Sequence, residues 1–118
     1  MQELAEKMKA VLATSFSLYL KAHNYHWNVT GPNFAQYHDF FGDLYTSVHG
    51  TIDTTAEEIR KLGEFAPGAL SRFSELSLIE DERTVPDAQI MFTRLAGDNQ
   101  KLLGLLYEAK RLASEYEA

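Results

Sequence analysis

The chain has 118 residues, with 17 acidic and 11 basic side chains that give a formal net charge of −6. This length fits a single domain, and hydrophobic residues at 45% with charged residues at 24% exclude a disordered chain. The absence of cysteine excludes disulfides, thiolate metal sites and cysteine nucleophiles. No apolar run approaches the roughly 20 residues that span a bilayer, and no signal peptide is evident, so we expect a soluble, cytoplasmic protein. The acidic pI near 5.1 argues against a surface built for nucleic acid.

The first predicted helix runs from about Gln2 to Trp27. Its apolar residues recur every three or four positions, which is typical of one buried helix face. They are Leu4, Met8, Val11, Leu12, Phe16, Leu18, Tyr19 and Ala22. Turn-forming residues follow at positions 28–33, and Asn33 is expected to cap the next helix.

The second predicted helix spans about Phe34 to Leu62, with Gly63 at the left-handed position after its end. Its apolar positions repeat with the same spacing as in the first helix. They are Phe34, Tyr37, Phe41, Leu44, Tyr45, Val48, Ile52, Ala56 and Ile59.

A short helix is predicted from Ala69 to Ser77, and a last long helix has Pro86 in its first turn. Gly97 and Gly104 weaken that last helix by roughly 1 kcal/mol each relative to alanine. The expected fold is therefore all-α, with three long helices and a short helix between the second and third. Three long helices leave an apolar groove, so we expect either a fourth long helix, absent from this chain, or another subunit to cover it.

Histidine and carboxylate side chains on the first two helices are candidate metal ligands. Without cysteine, such ligands favour iron, manganese or zinc. Asp53 and Glu57 lie one turn apart on one helix face, and His38 is about 60° around the axis from Asp53. However, His38 and Asp53 are roughly 22 Å apart along the helix, so one chain cannot close a site from both. Two antiparallel copies of the second helix would bring His38 of one subunit beside Asp53 and Glu57 of the other, twice, with His26 joining across the turn.

The segment from Asn24 to Phe34, with its His26-Trp27 pair and its Gly31-Pro32-Asn33-Phe34 turn, is followed by His38 and then by Asp53-Thr54-Thr55-Ala56-Glu57-Glu58. This pattern resembles the signature of the Dps family, the mini-ferritins, closely over about residues 13–63. The resemblance implies a ferritin-like up-down bundle that assembles into a dodecameric shell, with ferroxidase centres at two-fold interfaces. It also implies that His26 and His38 of one subunit and Asp53 and Glu57 of its partner bind iron, that Fe(II) is oxidised by hydrogen peroxide or oxygen, and that Fe(III) is stored.

Three departures from the family pattern bear on function. Gly42 occupies a position that is acidic in many family members, which removes one carboxylate at or near the site. Glu58 replaces an arginine, for which Arg60 is the nearest substitute. The basic N-terminal tail with which some members bind DNA is missing, so direct DNA binding is not expected.

Several residues near the expected site have two interpretations. His49 is expected at the interface or beside the ligands, and His23 is expected to face solvent. Trp27 fits either interface packing or electron donation to quench radicals at an iron site. The alternative function is a structural assembly protein that keeps the fold and has lost catalysis through Gly42 and truncation.

Overall fold

A computed structural model describes residues 1–117 of the chain. Five helices form the structure, and no strand occurs within those residues. They are α1 (Gln2–Asn28), α2 (Phe34–His49), α3 (Ile52–Lys61), α4 (Leu70–Leu76) and α5 (Ala88–Glu117). The all-α prediction is confirmed, and the short helix lies where the sequence predicted it.

Helix α1 is the centre of the bundle and packs against each of the other four helices. Its apolar stripe is buried as predicted, with Leu12, Leu18 and Ala22 almost fully covered. The same helix also buries the charged Lys21, whose Nζ lies 2.8 Å from Asp98 Oδ2 on α5 and donates to the Glu80 carbonyl. Because α1 contacts every other element, it fixes the relative positions of the helices that carry the candidate ligands.

The prediction of one uninterrupted helix from Phe34 to Leu62 is wrong at Gly50 and Thr51. The Thr51 amide donates to the Val48 carbonyl, three residues back instead of four, and the Thr51 hydroxyl donates to the same oxygen at 2.7 Å. This tightened turn separates α2 from α3, although Gly50 itself keeps a right-handed helical conformation. At the other end of α3, Gly63 has φ +87°, and the amides of Gly63 and Glu64 bond back to the last helical turn, which confirms the predicted terminus.

The starts of two helices differ from their predictions. Asn33 occupies the cap position of α2, but its side chain makes no capping hydrogen bond. The last helix begins at Ala88, so Pro86 precedes the helix instead of lying in its first turn. Asp87 is the cap residue, because its carboxylate accepts a hydrogen bond from the Ile90 amide at 3.0 Å.

An apolar groove of about 260 Å³ lies between α2 and α5. It is lined by Leu18, Phe40, Leu44, Phe92, Leu95, Ala96 and Asn99. A groove beside three long helices was expected from the sequence. The cover for it, a fourth long helix or another subunit, stays a prediction.

Candidate metal centre

The turn between α1 and α2 brings the two candidate histidine ligands together. Helix α1 ends where the Val29 amide bonds to the Tyr25 carbonyl, and Gly31 adopts φ +113°, a conformation that side chains rarely allow. The Phe34 amide then bonds to the Gly31 carbonyl at the start of α2. As a result the last turn of α1 faces the first turns of α2.

His26 and His38 form a stacked pair with reciprocal hydrogen bonds. Their ring centroids are 3.7 Å apart, with 21° between the ring planes. Nδ1 of His26 lies 2.7 Å from the His38 carbonyl oxygen, and Nδ1 of His38 lies 2.7 Å from the His26 carbonyl oxygen. Each ring is thereby held by the backbone of the residue that carries the other ring.

These hydrogen bonds determine the tautomer of both histidines. A carbonyl oxygen only accepts hydrogen bonds, so each Nδ1 must carry the proton. In the neutral imidazole Nε2 is then left with a free lone pair. Within residues 1–117 neither Nε2 has a hydrogen-bond partner. Histidine metal ligands are commonly oriented in this way by a carbonyl on the other ring nitrogen, so the pair fits a two-imidazole half of a metal site.

Aromatic rings and a glycine surround the histidine pair. The ring of Phe34 stacks on His38 at 5.1 Å, and the ring of Tyr45 meets His26 edge-on at 5.2 Å. On α2, Gly42 faces the His26 ring so closely that an added Cβ would lie 3.1 Å from both Cε1 and Nδ1. Gly42 therefore supplies no carboxylate and borders the imidazole directly.

His23 is half-buried, so the prediction that it faces solvent holds only in part. Its ring stacks between Tyr45, at 3.8 Å, and Trp27, at 4.0 Å, and Nδ1 lies 3.1 Å from the Tyr19 hydroxyl. Burial lowers the pKa of His23, and the neighbouring imidazoles of His26 and His49 lower it further. The i, i+4 spacing of Tyr19, His23 and Trp27 on one helix face was the signal for this stack. Trp27 leaves 57% of its surface exposed, so it is available to a second subunit.

Asp53 and Glu57 lie on α3, on its exposed face, while Ile59 of the same helix is buried. His49, at the end of α2, is also exposed and packs its ring edge-on against Tyr19 at 4.8 Å. The part of the chain that the structure describes gathers no group of three or more potential ligands at one point. The structure thus brings His26 and His38 together and does not bring Asp53 and Glu57 to them within one chain.

Arg60 makes contacts within its own chain. Its guanidinium lies over the Phe65 ring, 4.5 Å from the centroid, and donates to the Glu64 carbonyl at 3.2 Å. These contacts hold the guanidinium against the loop after α3, beyond the Gly63 turn.

Comparison with known proteins agrees with this architecture. The family model described as the ferritin-like domain matches residues 5–117. The DNA protection during starvation protein of Brevibacillus brevis is 35% identical over 114 residues, which cover 97% of this chain and 76% of that protein. The fold is that of the ferritin-like class, built from a bundle of long helices.

Two solved structures place the chain within that class. A Dps protein from Bacillus brevis superposes with a TM-score of 0.93 at 34% identity, over 98% of this chain and 78% of that one. A Dps protein from Vibrio cholerae O1, described as a member of a broad superfamily of ferritin-like diiron-carboxylate proteins, superposes with a TM-score of 0.92 at 27% identity, over 97% and 72%. The chain belongs to the Dps family of mini-ferritins. No helix within residues 1–117 is long and apolar enough to cross a membrane.

Proposed function

We propose that this protein is a ferroxidase and iron-storage protein that oxidises Fe(II) with hydrogen peroxide or oxygen and sequesters the Fe(III) product. The observation that carries the proposal is the His26–His38 pair, in which both Nδ1 atoms lie 2.7 Å from carbonyl oxygens and neither Nε2 has a hydrogen-bond partner within residues 1–117. Free, oriented imidazole nitrogens are suitable ligands for Fe(II). Membership of the Dps family, and the diiron-carboxylate description of the Vibrio cholerae relative, support iron as the metal.

Asp53 and Glu57 of a second subunit complete the proposed site. Two neutral imidazoles add no charge to Fe(II), whereas carboxylates offset its charge and stabilise the Fe(III) product still more. An antiparallel pair of subunits about a two-fold axis would place these carboxylates beside the partner's imidazoles at two equivalent sites. The exposure of Asp53 and Glu57 in the single chain leaves them free to enter such an interface.

The redox chemistry balances without any further cofactor. Each Fe(II) loses one electron, and peroxide takes an electron pair, so one peroxide oxidises two Fe(II) ions and ends as water with protons from solvent. Consuming iron and peroxide together would limit hydroxyl-radical formation and so protect against oxidative stress. Storage of the Fe(III) requires a hollow particle, and we propose the dodecameric shell that the family resemblance implies.

Iron oxidation in matched variants tests this proposal. Fe(II) oxidation by peroxide is followed by ferric absorbance in the wild type and in Asp53→Ala/Glu57→Ala. The control is Asp39→Ala/Asp43→Ala, which removes two exposed carboxylates with the same four-residue spacing from α2. We expect the first variant to lose the fast oxidation and the control to keep it. Equal rates in all three proteins would contradict the assignment of Asp53 and Glu57 as iron ligands.

The alternative is an assembly protein of the same fold that has lost ferroxidase activity. Gly42 favours this function, because it removes a carboxylate that many family members have at this position. Metal content after exposure to Fe(II) and desalting separates the two functions. Assembled particles that retain no iron would favour the structural role.

Protection of DNA, the function in the name of the Brevibacillus brevis relative, would be indirect in this protein. A net charge of −6 opposes contact with the phosphate backbone, which requires clustered lysine and arginine side chains. We propose that any protection arises from removal of iron and peroxide. Retention of DNA by the assembled protein at physiological salt would contradict this.

A further inference from the structure

Gly42 lies inside α2, where a glycine is unfavourable relative to alanine. Helix α5 has two interior glycines, Gly97 and Gly104, and an added Cβ at either would meet nothing within 4 Å. At Gly42 an added Cβ would lie 3.1 Å from Cε1 and Nδ1 of His26, closer than side-chain packing ordinarily allows. Of these three glycines, only Gly42 has a neighbouring side chain in the space that a Cβ would fill.

The His26 ring has little freedom to move away from such a Cβ. Its Nδ1 is bonded to the His38 carbonyl at 2.7 Å, its face stacks on the His38 ring, and the Tyr45 ring contacts it edge-on. The atom that a Cβ would press on, Nδ1, is the atom that donates this hydrogen bond. A shift of a few tenths of an ångström would therefore act directly on the contact that fixes the tautomer and direction of the ring.

We propose that Gly42 is a positioning residue for the metal site. Its missing side chain makes the space in which the His26 imidazole lies, and this holds the His26–His38 pair with both Nδ1 atoms on carbonyl oxygens and neither Nε2 hydrogen-bonded within residues 1–117. The inference deepens the proposed function and rests on it for the identity of the site. Many family members carry a carboxylate at this position; this chain carries no side chain there, and its His26 ring lies directly against α2. Its half of the site therefore offers two imidazoles and no carboxylate, and the negative charge comes from Asp53 and Glu57 of the second subunit.

The test compares Gly42→Ala with Gly104→Ala in the full chain. The first readout is the NMR signal of the ring Nδ1 protons without metal, since a proton held by a carbonyl exchanges slowly and shifts downfield. The second is the visible absorption of Co²⁺ added alone as the probe ion. We expect the wild type and Gly104→Ala to show the protected protons and the same Co²⁺ affinity. Gly42→Ala should lose the His26 signal and bind Co²⁺ about 10- to 100-fold more weakly, as for other residues that orient metal ligands.

A third measurement keeps the test decisive if Gly42→Ala folds poorly. In a His26→Ala background the ring is gone, so Gly42→Ala should raise the melting temperature as Gly104→Ala does. In the chain that retains His26, Gly42→Ala should not raise the melting temperature.

The outcomes separate this inference from the proposed function. Failure of the wild type to bind Co²⁺ would count against the metal site, while the proton signals and melting temperatures would still decide the role of Gly42. Retention of the protected His26 proton in Gly42→Ala, with Co²⁺ affinity within about twofold of the wild type, would overturn the inference. An equal effect of Gly42→Ala on melting temperature with and without His26 would overturn it as well.

Discussion

Subunit complementation is the sharpest test of a site shared between two chains. Two variants are needed: His26→Ala/His38→Ala, which lacks the imidazole half, and Asp53→Ala/Glu57→Ala, which lacks the carboxylate half. Each keeps the half that the other has lost. Within one chain the stacked histidines and the exposed carboxylates are not gathered into one cluster, at least over residues 1–117. Neither variant can therefore form a complete site from its own copies.

The expected activity of a mixture follows from counting sites. Each site takes its imidazoles from one subunit and its carboxylates from another. In an equal mixture of the two variants, half of the sites receive intact imidazoles, and half of the sites receive intact carboxylates. About one quarter of the sites are then complete if subunits pair at random about the two-fold axis. This fraction is the same for isolated dimers and for a larger shell.

The variants are unfolded together, refolded, and checked by native mass for mixed particles. Initial rates of Fe(II) oxidation by peroxide are then measured at equal protein mass. We expect about a quarter of the wild-type rate after co-refolding, and only the background rate when the variants are refolded apart and then mixed. Mixed particles that oxidise Fe(II) no faster than either parent would refute a shared site. A wild-type rate in either parent would show that the substituted residues are not ligands.

Two further predictions concern contacts of α1, one with the loop between α4 and α5 and one with α5. The hydrogen bond from the Tyr25 hydroxyl is the main cause that lowers the pKa of Glu82 to about 2. The ionised carboxylate therefore stabilises the fold fully above about pH 4.5, and this stabilisation is lost as the pH falls toward 2. Glu82→Gln should lower the free energy of unfolding by about 1–2 kcal/mol at pH 7, after allowance for solvent screening in a surface loop. Urea unfolding should show this loss of stability shrinking from pH 5 to pH 3. A loss that does not depend on pH would contradict the prediction. Lys21→Met should lower the free energy of unfolding by about 3–5 kcal/mol, because it leaves the buried Asp98 carboxylate without its cation. The double variant Lys21→Met/Asp98→Leu should recover most of that loss in the same urea assay. Equal losses in the single and double variants would show that the ion pair is not the cause.

The helices could be predicted from sequence because burial imposes a helical period on apolar residues. Positions such as Leu12 and Leu18 are buried as that period requires. The turn at Gly50 and Thr51 escaped prediction because the apolar period continues across it, and only a side-chain hydrogen bond from Thr51 to the Val48 carbonyl accompanies the tighter turn. The start of the last helix was misplaced because Pro86 is a common first residue, whereas the Asp87 side chain forms the cap.

The candidate site was predictable only in part. Spacing and family resemblance indicated that His26 and His38 lie together, and the structure places them in contact. The reciprocal carbonyl hydrogen bonds were not predictable, because they depend on the path of the turn through Gly31. From sequence, Gly42 showed only the loss of a carboxylate, since its contact with the His26 ring exists only once α1 and α2 are packed.

The proposed division of the site between chains would tie chemistry to assembly. A folded single chain presents oriented imidazoles and exposed carboxylates that, over residues 1–117, are not gathered at one point, so it holds two incomplete halves of the proposed site. Under the proposed function, iron oxidation begins only when subunits pair, and the ferric product then forms on a particle able to store it. Under the same proposal, imidazole ligands bring no negative charge, so the partner's Asp53 and Glu57 would supply the charge that compensates the iron. A chain that failed to pair would leave Fe(II) to react elsewhere, so the interface is as necessary to this function as the ligands themselves.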